Sequence, residues 1–74
     1  MSCAEEFGIF ERELLATIRR IAETERFSHE CYIHKDEESC KELRGLREEL
    51  RIQEGALKTA ITDLSRCIER AVKK

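Results

Sequence analysis

Four cysteines and two histidines are the side chains of this 74-residue sequence with the clearest capacity for chemistry. No two cysteines form a Cys-x-x-Cys pair, so their spacing indicates neither a thioredoxin-type redox site nor a zinc ribbon. Good zinc ligands do cluster near the middle of the chain, but their spacing matches no common zinc finger. These weak metal candidates are His29, Cys31, His34 and Cys40. We therefore favour no metal site and expect no cofactor.

The cysteine positions also suit two disulfides, provided that the chain folds back as two antiparallel helices. Cys3 would then lie near the level of Cys67, and Cys31 near the level of Cys40. However, the register that aligns the apolar stripes of the two helices offsets each pair by about 5 Å along the axis. Such an offset is at the edge of what a disulfide tolerates. The prediction is four reduced thiols that pack as small apolar side chains, with disulfides and metal ligation as alternatives.

The sequence does not indicate an enzyme. A Cys–His dyad could be drawn from the central cluster, but no third residue or oxyanion donor is implied. There is no glycine-rich phosphate loop, and a two-helix protein offers no concave pocket of the usual ~300–1,000 Å³. We therefore predict a non-enzymatic protein.

Charge and hydropathy argue against a nucleic-acid partner, a membrane span and a signal peptide. The 14 basic and 16 acidic residues give a net charge of −2, whereas nucleic-acid binders carry a basic face. The longest apolar stretches are far shorter than the ~20 residues that span a bilayer. Glu5 and Glu6 are atypical of a signal peptide, whose start is basic and then apolar. We expect a soluble, cytoplasmic protein with no membrane span and no nucleic-acid partner.

Composition and periodicity predict helices. Proline is absent and charged residues form 41% of the sequence, as in long exposed helices. A Ser-x-x-Glu capping box over residues 2–5 predicts the start of the first helix. The second helix is predicted to begin at Asp36 or Ser39, either of which could cap it. Apolar residues of the first helix recur every three or four positions along one stripe, at Phe7, Phe10, Leu14, Ile18 and Ile21.

The second helix shows a heptad pattern, in which Gln53 is a polar interruption. Its leucines at one seam position are Leu43, Leu50, Leu57 and Leu64, and the other position holds Leu46, Ala60 and Cys67. The stripes of the two helices differ in phase by one residue across the polar residues 34–38, which indicates a turn rather than a continuous rod. The predicted fold class is all-α: an antiparallel, coiled-coil-like two-helix hairpin over approximately residues 3–33 and 37–73, in one domain of residues 1–74.

More apolar side chains are present than one seam between two helices can cover. A hairpin of this size is marginal alone, so the surplus suggests a groove or ridge that a further helix covers. We predict an adaptor or chaperone subunit that forms a homodimer or a hetero-oligomer with a protein partner. The predicted partner-binding residues are Phe10, Leu14, Ile18, Leu57, Ile61, Leu64 and Ile68.

The second helix also resembles a known family. Residues 51–57, followed by Ile61 and Leu64, are similar to the small helical-hairpin co-chaperones of bacterial type III secretion systems. The resemblance implies pairing with a tetratricopeptide-like co-chaperone, so that together they keep the needle subunit from polymerising in the cytoplasm.

Two other functions fit the same sequence. One is a metal- or redox-responsive hairpin centred on the cysteine and histidine turn. The other is a small protein inhibitor of viral or mobile-element origin, which would share the binding physics of an adaptor.

Overall fold

Two long helices lie antiparallel along each other in the computed structural model, which describes residues 2–73. Helix α1 spans Ala4–Tyr32 and helix α2 spans Glu37–Val72, and no strand is present within the described residues. The molecule is a rod of 57 × 14 × 14 Å. The predicted hairpin is confirmed, and each predicted helix bound falls within one residue of the observed bound. Within residues 2–73, neither helix has an apolar stretch long enough to cross a membrane.

The capping prediction is wrong for the start of α1, and one of the two candidates for α2 is confirmed. The N-cap of α1 is Cys3, and its side chain makes no capping hydrogen bond. Ser2 Oγ instead accepts a hydrogen bond from the Ala4 N–H at 3.2 Å, so the predicted capping box is wrong: the serine lies one residue too early. At α2, Asp36 Oδ1 accepts from the Glu38 N–H at 3.2 Å, and Ser39 Oγ donates to Asp36 Oδ2 at 2.8 Å. Asp36 is thus the cap.

A four-residue connection over residues 33–36 reverses the chain. Lys35 adopts the left-handed region, with φ of 52°, which costs a non-glycine residue roughly 1–2 kcal/mol. The Asp36 N–H donates to the Glu30 carbonyl at 3.3 Å and holds the turn against the end of α1. Arg47 Nη2 donates to the Tyr32 hydroxyl at 3.0 Å, which ties the two helices together beside the turn.

The heptad pattern of α2 correctly predicts which of its faces packs against α1. Leu43 is 2% exposed, and Ala60 and Cys67 are also buried. The other seam residues are half-buried, namely Leu46, Leu50, Gln53, Leu57 and Leu64. A period of 3.5 residues therefore placed this seam correctly.

Apart from Phe10, the apolar stripe of α1 does not face α2, and this part of the prediction is wrong. Phe7, Leu14, Ile18 and Ile21 are all exposed. Phe10 is half-buried at the edge of the stripe. The helix is rotated so that a different set of residues packs against α2.

Candidate interaction surface

Helix α1 contacts α2 through residues spaced alternately three and four apart, which we call the α1 seam. This spacing keeps one face of a helix turned towards its partner helix. Every residue of the α1 seam is buried or half-buried, and most are polar. They are Cys3, Glu6, Phe10, Glu13, Thr17, Arg20, Thr24, Phe27 and Cys31.

Both ends of the α1 seam are covalently bonded to α2. The Cα atoms of Cys3 and Cys67 are 6.0 Å apart in one disulfide, and those of Cys31 and Cys40 are 4.8 Å apart in the other. Both distances are in the normal range for disulfides. The prediction of reduced thiols is therefore wrong. The expected offset between the paired cysteines is also wrong, because it assumed that the apolar stripe of α1 faces α2.

The disulfide near the turn uses two of the four candidate metal ligands. Cys31 and Cys40 are bonded to each other, and the rings of His29 and His34 lie beside each other with centroids 5.4 Å apart. Within residues 2–73, no group of three or more His, Cys, Asp or Glu side chains is placed to hold a metal ion. The turn cluster is thus a disulfide with two neighbouring imidazoles.

A polar layer near the middle of the hairpin fixes how α1 is rotated. The Glu13 carbonyl oxygen accepts hydrogen bonds from Thr17 Oγ1 at 2.7 Å and from Gln53 Nε2 at 3.2 Å. Gln53 Nε2 also donates to Glu13 Oε2 at 2.6 Å. Gln53 therefore finds a partner between the helices, which removes the cost of burying an unpaired amide. Only a rotation of α1 that brings Glu13 inward allows the two contacts with Gln53, since the Thr17 bond lies within α1.

An ion pair joins the helices on one side of the seam. Arg20 Nη1 lies 2.6 Å from Glu49 Oε2, and both side chains are substantially exposed. Exposed pairs of this kind contribute only about 0–1 kcal/mol. The pair is consistent with the same rotation of α1, since Arg20 is one turn beyond Thr17.

Because the polar α1 seam faces α2, the apolar stripe of α1 faces outward. Phe7 is 54% exposed and Ile18 is 52% exposed, while Leu14 and Ile21 are partly exposed, at 36% and 41%. The four residues extend over 14 positions of helix, or about 21 Å at 1.5 Å per residue. Large exposed apolar patches are typical of interaction surfaces, and these four side chains follow one side of the helix.

Two isoleucines of α2 extend this strip across the hairpin. Ile61 and Ile68 occupy the same heptad position as Arg47, and Tyr32 occupies that of Ile18. Since Tyr32 and Arg47 hydrogen-bond to each other, these positions lie on one side of the molecule. We define the apolar face as Phe7, Leu14, Ile18 and Ile21 of α1 together with Ile61 and Ile68 of α2.

The opposite side of the hairpin has a different character. There, Ile9 lines a shallow depression with Asp63, Arg66 and Arg70. Glu5 and Glu6 also line it, and one buried Glu6 carboxylate oxygen, Oε2, has no hydrogen-bond partner. This side is mainly charged around Ile9, and Leu15 and Ile52 are further apolar side chains exposed outside the apolar face.

The predicted partner-binding residues divide between the two surfaces. Leu14, Ile18, Ile61 and Ile68 belong to the apolar face and are exposed. Phe10, Leu57 and Leu64 lie half-buried between the helices. Phe7 and Ile21 belong to the apolar face but were assigned to the seam. The signal that could have placed them outside is the separate heptad from Cys3 to Cys31, which must face α2 if both cysteines bond to it.

Comparison with known proteins gives no match: no protein-family model, curated protein or solved structure is similar to this chain. Its function is therefore inferred from the apolar face and from the disulfides that hold this face outward.

Proposed function

We propose that the chain is a non-enzymatic binding module whose apolar face docks an amphipathic helix of a protein partner. The observation that carries this proposal is the rotation of α1. Its polar residues are turned towards α2, while Phe7, Leu14, Ile18 and Ile21 are turned to solvent. A hairpin that served only its own stability would bury these side chains, since each contributes ~1.5–3 kcal/mol when fully buried.

The shape of the apolar face favours a helix as the occupant. It is straight, about four helical turns long, and anchored at intervals of three, four and seven residues. The two isoleucines of α2 widen the face beside its Phe7 end, where the register places them. An amphipathic helix presents apolar side chains at matching intervals.

The disulfides give the face its rigidity. Cys3–Cys67 bonds the open end of the hairpin and Cys31–Cys40 bonds the end at the turn, so α1 cannot rotate to bury its apolar stripe. A docking surface that is held in place loses less conformational entropy on binding. Disulfides persist in oxidising compartments, which favours such a compartment over the cytoplasm expected from the sequence.

A redox-responsive hairpin is the second candidate, and the two disulfides favour it. Reduction would destabilise the hairpin and so dismantle the apolar face. The resemblance to type III secretion co-chaperones remains a prediction and offers one identity for the partner, a tetratricopeptide-like protein.

The experiment places a photo-crosslinking benzophenone amino acid at Ile18, in cells that express the chain naturally. We expect a covalent adduct with one specific protein, because Ile18 lies in the middle of the apolar face. Adding Leu14→Glu should lower the yield roughly thirtyfold, as expected for the loss of a hot-spot contact of about 2 kcal/mol. Mass spectrometry of the adduct identifies the partner and its contacting segment.

The matched control carries the same amino acid at Thr62, which is exposed on the side of α2 away from the seam. It should give no specific adduct. Equal adducts from both positions, or none from Ile18, would rule out the apolar face as a docking surface.

A further inference from the structure

We propose that the occupant of the apolar face is a second copy of this chain, in a two-fold arrangement that places α1 of each copy over α2 of the other. Both turns then lie at the same end of a four-helix bundle. This inference rests on the proposed function in one respect, namely that the apolar face is a docking surface. It goes further by naming the partner and its orientation.

The exposed area of the hairpin is large enough to supply a standard protein interface. The chain exposes 5965 Å², whereas a folded monomer of its mass exposes about 4,700 Å². The excess of about 1,200 Å² comes from the rod shape, and it exceeds the roughly 800 Å² that each partner contributes to a standard interface. Pairing two rods along their length would cover part of this excess surface.

The two edges of the apolar face carry opposite charges. On α1, Glu11 and Glu25 lie one heptad before and after Ile18. On α2, the corresponding outer position holds Arg44, Arg51 and Lys58. All five side chains are exposed. Glu54 also lies on the α2 side, four residues from Lys58, the spacing at which a glutamate and a lysine attract each other within a helix.

The register of the hairpin brings these opposite charges to matching levels. The disulfides and the Arg20–Glu49 pair fix which residues of α1 and α2 lie at the same height. In that register Glu11 is level with Lys58, and Glu25 is level with Arg44. When α1 of one copy lies over α2 of the other, each glutamate therefore faces a basic side chain of the other copy.

The alternative two-fold arrangement is disfavoured by the same charges. Placing α1 over α1 would bring Glu11 of one copy near Glu25 of the other. Arg44 would likewise approach Lys58. Like charges that face each other across an interface suppress that arrangement. The opposite charges on the two edges of the apolar face therefore favour a second copy as the partner. They also favour the orientation that places α1 of one copy over α2 of the other.

Sedimentation equilibrium of the intact, oxidised chain at micromolar concentrations tests this proposal. The wild type should be a dimer. Glu11→Lys with Glu25→Lys should weaken the dimer by roughly tenfold or more, since each lysine then faces a basic side chain. Adding Arg44→Glu and Lys58→Glu to that variant should restore affinity to within about threefold of wild type. An α1-over-α1 dimer would show neither the loss nor the restoration.

The control reverses two charges away from the apolar face, with Glu23→Lys and Glu48→Lys, and should leave the dimer unchanged. Circular dichroism and a free-thiol count confirm that every variant remains a helical, disulfide-bonded hairpin. A wild-type monomer at all concentrations would overturn the inference. So would a variant with all four substitutions that dimerises as weakly as the variant with only Glu11→Lys and Glu25→Lys. If the monomer result comes with a specific Ile18 adduct to a different protein, only the inference fails. Without any adduct, the proposed function fails as well.

Discussion

Replacing Cys3 and Cys67 together by serine is expected to lower the free energy of unfolding by about 4 kcal/mol. The disulfide links residues that are 64 apart, so breaking it frees almost the whole unfolded chain. The Cys31–Cys40 disulfide spans only 9 residues, and its loss should cost about 2.5 kcal/mol by the same chain-entropy argument. Since so small a core supplies only a few kcal/mol, the variant without the outer disulfide should be largely unfolded near 37 °C.

Urea denaturation followed by circular dichroism measures these differences, with the Cys31→Ser, Cys40→Ser variant as the matched comparison. Wild-type protein treated with reductant should lose more stability than either variant. Equal costs for the two disulfides, or four free thiols in the native protein, would contradict the structure. A large loss of helix on reduction would also support the redox-responsive candidate.

The second large effect is expected at Leu43, the least exposed apolar side chain between the described helices, at 2%. Leu43→Ala should lower the free energy of unfolding by about 2–4 kcal/mol, through lost burial and the cavity left behind. Ile52 is the matched control, since it is an aliphatic side chain of the same size on the same helix but 68% exposed. Ile52→Ala should change stability by no more than about 0.5 kcal/mol.

Thermal and urea unfolding of the two alanine variants give this comparison directly. The disulfides must be intact in both samples, so that only packing differs. If the two substitutions had equal effects, the leucine seam of α2 would not be the contact line with α1.

The sequence was sufficient to predict α2 and the turn. The leucines from Leu43 to Leu64 repeat every seven residues without a competing pattern, and Asp36 is a strong N-cap before a run of acidic residues. Local chemistry and packing agree there, so the prediction of this helix and its inner face is confirmed. A segment is predictable from sequence when its local helix signals and its packing in the fold favour the same structure.

The inner face of α1 was harder to predict, because this helix carries two patterns that repeat every seven residues. One contains Phe7, Leu14 and Ile21, and hydrophobicity alone selects it as the seam. The other begins at Cys3 and ends at Cys31, four heptads later, and is largely polar between them. Bonding both cysteines to α2 requires the second pattern to face inward. An apolar stripe shows that a helix is covered, but it does not show which neighbour covers it.

The apolar face could be located only once the rotation of α1 was known, because the sequence does not show which apolar residues face α2. Ile18, Ile61 and Ile68 were identified from the sequence, because their apolar side chains exceed what one seam can cover, whereas Leu14 was also placed on the predicted seam of α1. Phe10, Leu57 and Leu64 could not be separated from them, since the same side chain type serves either contact. The polar contacts of Gln53 could not be predicted either, because its partner Glu13 is 40 residues away in sequence and approaches only in the folded hairpin.

The rotation of α1 is the central claim, and nuclear Overhauser contacts within one chain test it most directly. Mixing labelled and unlabelled chains separates contacts within a chain from those between copies. Thr17 and Gln53 hydrogen-bond to the same Glu13 carbonyl, so contacts between the Thr17 methyl and the Gln53 side chain are predicted. The Ile18 methyls should show no contact to the leucine seam of their own α2. Strong intrachain contacts from Ile18 to Leu50 or Leu57, with none from Thr17 to Gln53, would contradict the account.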